Sequence, residues 1–292
     1  MLTNMKIKFE WYSNRFLSEI YIRKVIFFSS YKVEAKLHQL PKDLIISLTS
    51  YKPRFATLFP TILSLIQQKV VPNLIILWVA DEDFNYIPEE ILNLRGIVNE
   101  QGTVFDIIKT QDTGPYKKII PCIKKYPNNF IVTADDDIYY PPWWLKYLVN
   151  EYNGIDSEII SYLTHEITFN KFSNSINPYN DWVRNKQQNV DGLLGFAVGA
   201  GGVFYPPYSL DDLVSCHDIF LKECAMADDI WLFWMARKKG STTRKTKKYF
   251  KPICWPSSQK VSLLTSNVQN NANDQKIRNM LSKFGWPIST TK

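Results

Sequence analysis

Three consecutive carboxylates, Asp135, Asp136 and Asp137, follow directly on the apolar run Phe130–Ala134, and Pro141 and Pro142 then open a segment with Leu145, Leu148, Val149 and Tyr152 at helical spacing. A short apolar run of this kind reads as a buried strand, so the acids stand at a strand's carboxyl end. Side chains alternate in extended backbone, which predicts Asp135 and Asp137 on one side and Asp136 on the other. Two like charges about 4 Å apart repel by roughly 4 kcal/mol at an effective dielectric near 20. Such a pair needs a cation, a proton or full solvation. A hard divalent ion, Mg2+ or Mn2+, suits one or two carboxylates completed by water and phosphate oxygens. The alternative is a solvated acidic turn at the start of the following helix, and the buried strand in front favours the metal site.

A second acidic pair, Asp228 and Asp229, stands before Ile230, Trp231, Phe233, Trp234 and Met235, as either a helix cap or a chemical group. Arg54, just before the first helix, could meet a diphosphate at that helix's positive end or lie on the surface. His165 and His217 have no partner in sequence and are assigned no role. Cys122, Cys216, Cys224 and Cys254 lack CxxC spacing and read as free thiols. A zinc site from Cys216, His217 and Cys224 is disfavoured without a paired knuckle.

Strands and helices alternate around these residues. Leu44–Leu48, Leu74–Val79, Phe105–Lys109 and Phe130–Ala134 read as buried strands. Between them, Phe55 to Ile66 recurs at helical spacing with Pro60 as a kink or early helix position, Pro88 starts a short helix, and Ile119, Ile120, Ile123 and Tyr126 mark another. About 90 residues of repeated βα units suit a doubly wound, nucleotide-binding sheet with ligands beyond the carboxyl ends of its strands. The expected fold is α/β, with a mixed, mostly parallel sheet flanked by helices. One main domain is expected over 42–256, with an extension of 1–41 before it and of 257–292 after it.

A strand, then Asp-x-Asp, then a helix resembles the metal and nucleotide-sugar signature of glycosyltransferases with the GT-A fold, and the order of elements is similar to that of the family 2-like members. The resemblance covers roughly Asp43 to Trp255. It implies donor contacts from the loop Ser47-Leu-Thr49-Ser50-Tyr51-Lys-Pro-Arg54, with Thr49, Tyr51 and Arg54 named, and a nucleobase contact from Asp81. Asp135 would lie near the ribose and the metal, Asp137 on the metal and pyrophosphate, and Asp136 beside the donor. The acceptor side would be Gly199-Ala-Gly201-Gly202, with Trp231. In Ala227-Asp228-Asp229 the second acid is the expected general base. The segment Thr113 to Lys118 departs from the family's asparagine-bearing pattern, which leaves Lys117 or Lys118 as donor contacts, and Asp-Asp stands where Glu-Asp is more frequent. The implied function is inverting transfer of a sugar from a nucleoside diphosphate sugar, UDP-sugar first among donors, to a glycan or lipid-linked acceptor in surface polysaccharide synthesis, with Mn2+ or Mg2+ as cofactor.

Composition leaves these readings standing and weakens others. The 292 residues are 45% hydrophobic and 22% charged, an ordinary globular balance, with a formal net charge of +7. Eight basic residues and no acid lie between Arg237 and Lys251, and seven basic against three acidic residues lie in the first 36. The remainder holds 20 basic against 25 acidic residues. An acidic body with two basic patches does not suit a nucleic-acid binder, and no nucleic-acid motif is present. The aromatic and basic lead-in (Phe9, Trp11, Tyr12, Phe16, Ile20, Tyr21, Ile26, Phe27) suits a lipid headgroup layer or a helix packed on the body. The basic run 237–251 is a second candidate for such an attachment. No run reaches membrane-span length and no leader pattern is evident, so the expected setting is the cytoplasm with peripheral contact at the membrane's inner face. A nucleotidyltransferase would also place carboxylates at a parallel strand's end, but Thr49 to Arg54 contains no glycine. A glycoside hydrolase would need neither nucleotide nor metal.

Overall fold

The computed structural model describes residues 17–27, 34–97, 102–173, 175–185, 192–255, 258 and 272–287. Its centre is a sheet of β1 (Leu44–Ser50), β2 (Leu74–Ala80), β3 (Val104–Thr110), β4 (Phe130–Ala134), β5 (Glu158–Glu166), β6 (Gly195–Tyr205) and β7 (Thr242–Lys245). The spatial order is β3-β2-β1-β4-β6-β5-β7. The first four strands are parallel, β6 runs antiparallel to both β4 and β5, and β7 is parallel to β5.

The apolar runs of β1 and β4 are nearly continuous because helices cover both faces. Leu44, Ile46 and Leu48 join one core with α1 (Phe55–Ile66) and α4 (Trp144–Glu151), through Phe55, Leu58, Ile62, Leu145 and Leu148. Ile45 and Ile131 point the other way, as period-two geometry requires. Their core holds Ile120 of α3 (Ile120–Lys125), Phe220 of α5 (His217–Cys224), and α6 (Asp228–Lys238) with Trp231 and Trp234. Ile277 and Met280 of α7 (Ala272–Phe284) pack into the same core. The short α2, Glu89–Leu92, begins after Pro88 as expected, with Pro88 in the cap position. Pro60 lies inside α1.

The chain steps outward from β1 to β2 to β3, then returns to place β4 on the other side of β1. That reversal makes a crevice outside the carboxyl ends of β1 and β4, where open α/β sheets bind ligands. Gly202 helps to seat what surrounds it. Its φ is +94°, and a Cβ there would lie 2.5 Å from the Trp144 ring, whose Nε1 donates to the Gly201 carbonyl at 2.8 Å. Gly202→Ala should therefore cost about 1–3 kcal/mol and lower Tm in thermal unfolding; an unchanged Tm would contradict this packing.

The basic run divides into cations bound to the body and cations that are exposed. Arg237 is buried and donates to the carbonyls of Leu193, Ser241 and Gly195 and to Thr243 Oγ1. Arg244 binds both Glu151 and Glu158, and Lys238 pairs with Asp211. These three cations tie β7 and α6 to the body, while Lys239, Lys247, Lys248 and Lys251 of the same run are exposed. In the lead-in, residues 17–27 are helical, while Phe9, Trp11, Tyr12 and Phe16 lie outside the described residues. No helix among the described residues is long and apolar enough to cross a membrane.

Candidate functional site

Beyond the carboxyl ends of β1 and β4 lies a cleft of about 820 Å³, a volume typical of small-ligand sites. Its wall contains Thr49 and Ser50 at the end of β1, Tyr51 and Arg54 just after it, and Asp135, Asp136 and Asp137 after β4. Lys117 and Lys118 enter from the segment before α3, Gly199 and Ala200 from β6, and Asp228 and Asp229 from the first turn of α6. β6 reaches the cleft because it pairs antiparallel with β4, Thr133 opposite Val203, so its earlier residues run on past Ala134. The two acidic pairs, some 90 residues apart in sequence, thus face one space.

Within the acidic triplet the arrangement differs from strand alternation. β4 ends at Ala134 and the chain turns at Asp136 and Asp137, which brings those two carboxylates together on one guanidinium. Arg54 Nη1 lies 2.7 Å from Asp136 Oδ1 and 3.1 Å from Asp137 Oδ2. Ser50 Oγ donates to the other Asp136 oxygen at 2.6 Å, and Thr61 Oγ1 donates to the Asp136 carbonyl at 3.0 Å. Burial opposes the Arg54 charge, but Asp136 and Asp137 outweigh it and raise its pKa. Burial also lifts the Asp136 carboxyl against the pull of Arg54 and Ser50. Asp137 is pushed up to about 6, by burial first and by Asp136 second.

Asp135 takes a different partner. Lys118 Nζ lies 3.0 Å from Asp135 Oδ1 and 3.1 Å from Asp228 Oδ2, so one ammonium joins the turn after β4 to the acids of α6. Burial works against that charge, and Asp135, Asp228 and Asp229 more than restore it, raising the Lys118 pKa well above its usual value. Ser47 Oγ fixes the backbone beneath by donating to the Lys118 carbonyl at 2.6 Å. Lys117 pairs instead with Asp112. Asp112 is held below the usual carboxylate range because, although burial raises it, the hydrogen bonds from Lys117 and the Gly114 N–H prevail.

Asp229 does not cap its own helix, whose N-cap position, Ala227, makes no side-chain cap. Its Oδ2 accepts the Gly199 N–H at 3.1 Å. Gly199 leaves room for both charged ends: a Cβ there would lie 2.9 Å from Lys118 Nζ and 3.0 Å from Asp229 Oδ1 and would press on them. Burial, then Asp228, lifts Asp229 to about 7 against Lys118 and the Gly199 N–H. A carboxylate poised near neutrality and facing a cleft has the properties of a general base.

Several expected residues lie elsewhere. Gly201 and Gly202, expected on the acceptor side, are buried against Leu163, Tyr162 and Trp144. Trp231 is fully buried and its Nε1 donates to the Val214 carbonyl at 3.0 Å, so it belongs to the core. Asp81 is exposed and outside the cleft wall, whereas its neighbours Glu82 and Asp83 line it. Gly199 and Ser50 fall in the two stretches that the resemblance marked, whereas Asp112 is a site residue that the sequence did not single out.

A metal would have to use what remains. Among the described residues, no three His, Cys, Asp or Glu side chains form a ready metal cage, at Cys216, His217 and Cys224 or elsewhere. A hard divalent ion needs only one or two carboxylates when water and phosphates complete its shell. Asp135, Asp136, Asp137, Asp228 and Asp229 lie around Arg54 and Lys118, with Glu82 and Asp83 also on the cleft wall and Lys117 matched by Asp112. The surplus negative charge fits such an ion, provided that Asp137 shares its carboxylate with Arg54.

No family model and no curated sequence matches the chain. Solved structures similar to it include the mannosyltransferase PcManGT from Pyrobaculum calidifontis, in complex with GDP-Man and Mn2+, at 9% identity and a TM-score of 0.47, over 91% of this chain and 71% of that one. Another is the inositol-1-phosphate CTP transferase from T. maritima, at 12% identity and a TM-score of 0.41, over 83% of this chain and 98% of that one.

Proposed function

We propose that the chain is a glycosyltransferase that moves a sugar from a nucleoside diphosphate sugar, with a UDP-sugar as first candidate, to a hydroxyl of a glycan or lipid-linked acceptor, with inversion, in surface polysaccharide synthesis. One observation carries the reading. At the sheet's switch point a turn of three carboxylates faces, across one cleft, the separately anchored Asp229, whose Oδ2 accepts the Gly199 N–H and whose pKa burial raises.

Inverting transfer needs a stabilised leaving group, a deprotonated acceptor hydroxyl, and the two held in line. Asp229 takes the hydroxyl proton, oriented by the Gly199 N–H. Lys118 fixes Asp228 and Asp135 relative to each other, so the base side and the donor side keep one spacing. Arg54 holds Asp136 and Asp137 in the turn and offers a cation at the α1 N-terminus. Asp137 and Asp135 would hold Mn2+ or Mg2+, which supplies charge neutralisation on the departing diphosphate.

A screen of nucleotide sugars with and without Mn2+, reading nucleoside diphosphate release, tests the reading. Pyrophosphate release from a nucleoside triphosphate and a sugar phosphate would instead establish nucleotidyl transfer. Asp137→Ala is expected to abolish the Mn2+-dependent part of nucleoside diphosphate binding in calorimetry. The same affinity in the variant and the parent, each with Mn2+, would remove Asp137 from the metal site.

A further inference from the structure

The helix over residues 17–27 has two working faces. Ser18 and Val25 are buried, and Tyr21 and Ile22 pack beside them. Val25 joins Leu63, Tyr139 and Trp255 in a small core, Gln67 Nε2 donates to the Val25 carbonyl at 2.9 Å, and Tyr21 stacks on Tyr139 with centroids 4.3 Å apart. At 100° per residue, Leu17, Ile20, Arg23, Lys24 and Phe27 fall on the opposite side, within an arc of roughly 120°. All five are exposed, Phe27 at 62% and Ile20 at 44%. Glu19 lies outside that arc, so the face combines three large apolar side chains with two cations and no acid.

We propose that this outer face docks on an anionic phospholipid bilayer. Apolar side chains flanked by cations match the acyl boundary and the anionic headgroups of such a surface. A protein partner would match the apolar residues without requiring the cations between them. The body adds to the match: Ile253 packs against the same small core, and Lys251, two residues before it, is exposed. The docked helix packs on Tyr139 and Trp255, which adjoin the acidic turn. Tyr139 is two residues from Asp137, and the Trp255 N–H donates to the Asp137 carbonyl at 2.9 Å. Lipid contact would therefore hold the acidic turn near the bilayer, which suits the lipid-linked acceptor of the proposed function. The docking stands on the helix geometry and holds whether or not the chain transfers sugar.

Vesicle co-sedimentation of the full chain tests it without any assay of turnover. The chain should bind mixed phosphatidylcholine and phosphatidylglycerol vesicles and bind pure phosphatidylcholine far less. Each cation at an anionic surface is worth about fivefold, so Arg23→Gln with Lys24→Gln should weaken binding on the order of 25-fold. Ile20→Glu with Phe27→Glu should weaken it at least as much, and Lys247→Gln with Lys248→Gln, in the basic run, should change it little. Circular dichroism and Tm should match the parent in each variant, because the substituted side chains are exposed. Equal binding by the Arg23/Lys24 variant and the parent, or no binding by the parent, would overturn the proposal. So would a dimer in sedimentation equilibrium that Ile20→Glu dissociates while the parent ignores vesicles, since the face would then belong to a second copy of the chain.

Discussion

Asp229→Asn is expected to lower kcat for sugar transfer by about 10²- to 10⁴-fold, the range for losing a positioned general base, while nucleoside diphosphate affinity stays within about twofold. The substitution keeps the side-chain shape and an oxygen for the Gly199 N–H, so the site's geometry survives and proton abstraction does not. The pH dependence supplies an independent readout. Burial and the adjoining Asp228 raise the Asp229 pKa to about 7, and a base works only when deprotonated. The parent's rate should therefore be low below that value, rise through it and level off above it. The residual rate of the variant should lack that rising limb. A variant that turns over at the parent's rate, with the limb intact, would move the role of base to Asp228 or another group.

Lys118→Met should have the second large effect, because one ammonium serves both Asp135 and Asp228 at about the same distance. The side chain is only 9% exposed, so water would replace little of what is lost. Removing one partner from a buried charged group typically costs about 3–5 kcal/mol, read as a lower denaturant midpoint. The second consequence separates this role from mere packing. Lys118 pulls the Asp229 pKa down against burial and Asp228. Its loss should therefore move the rising limb of the rate to higher pH, and Lys118→Arg should bring it part of the way back. A variant with the parent's stability and an unmoved limb would show that the ammonium neither holds the two acids nor tunes the base.

The expected α/β fold with a mostly parallel sheet is the one observed, and the reason is local. Runs such as Leu44–Ser50, Leu74–Ala80 and Phe130–Ala134 are apolar on both faces, and a strand of that kind is stable only between two layers of helices. The helix from Phe55 to Ile66 was equally legible, since Phe55, Leu58, Phe59, Ile62, Leu63 and Ile66 recur at its period, four of them buried and Phe59 and Ile66 partly so. The glycine-rich stretch misled for a physical reason. Gly199, Gly201 and Gly202 look alike in sequence, yet Gly199 makes room for Lys118 and Asp229 while the other two make room for Leu163, Tyr162 and Trp144. Which neighbour a missing Cβ admits is settled by strand pairing. Trp231 was ambiguous on the same grounds, because an aromatic at helical spacing serves a core or a ligand equally well.

The sequence by itself determined that acids stand at the carboxyl end of a buried strand and at the head of a later helix, because apolar runs, turn residues and helical periods are local properties of the chain. Only the tertiary structure decided how their charges are matched. The turn after Ala134 defeats strand alternation and gives Asp136 and Asp137 to Arg54, 82 residues away. The antiparallel insertion of β6 and the packing of α6 bring Asp228 and Asp229 to Lys118. Burial then lifts the Asp137 and Asp229 carboxyls toward neutrality. Charge partners and desolvation are properties of three-dimensional proximity, and no spacing along a chain contains them.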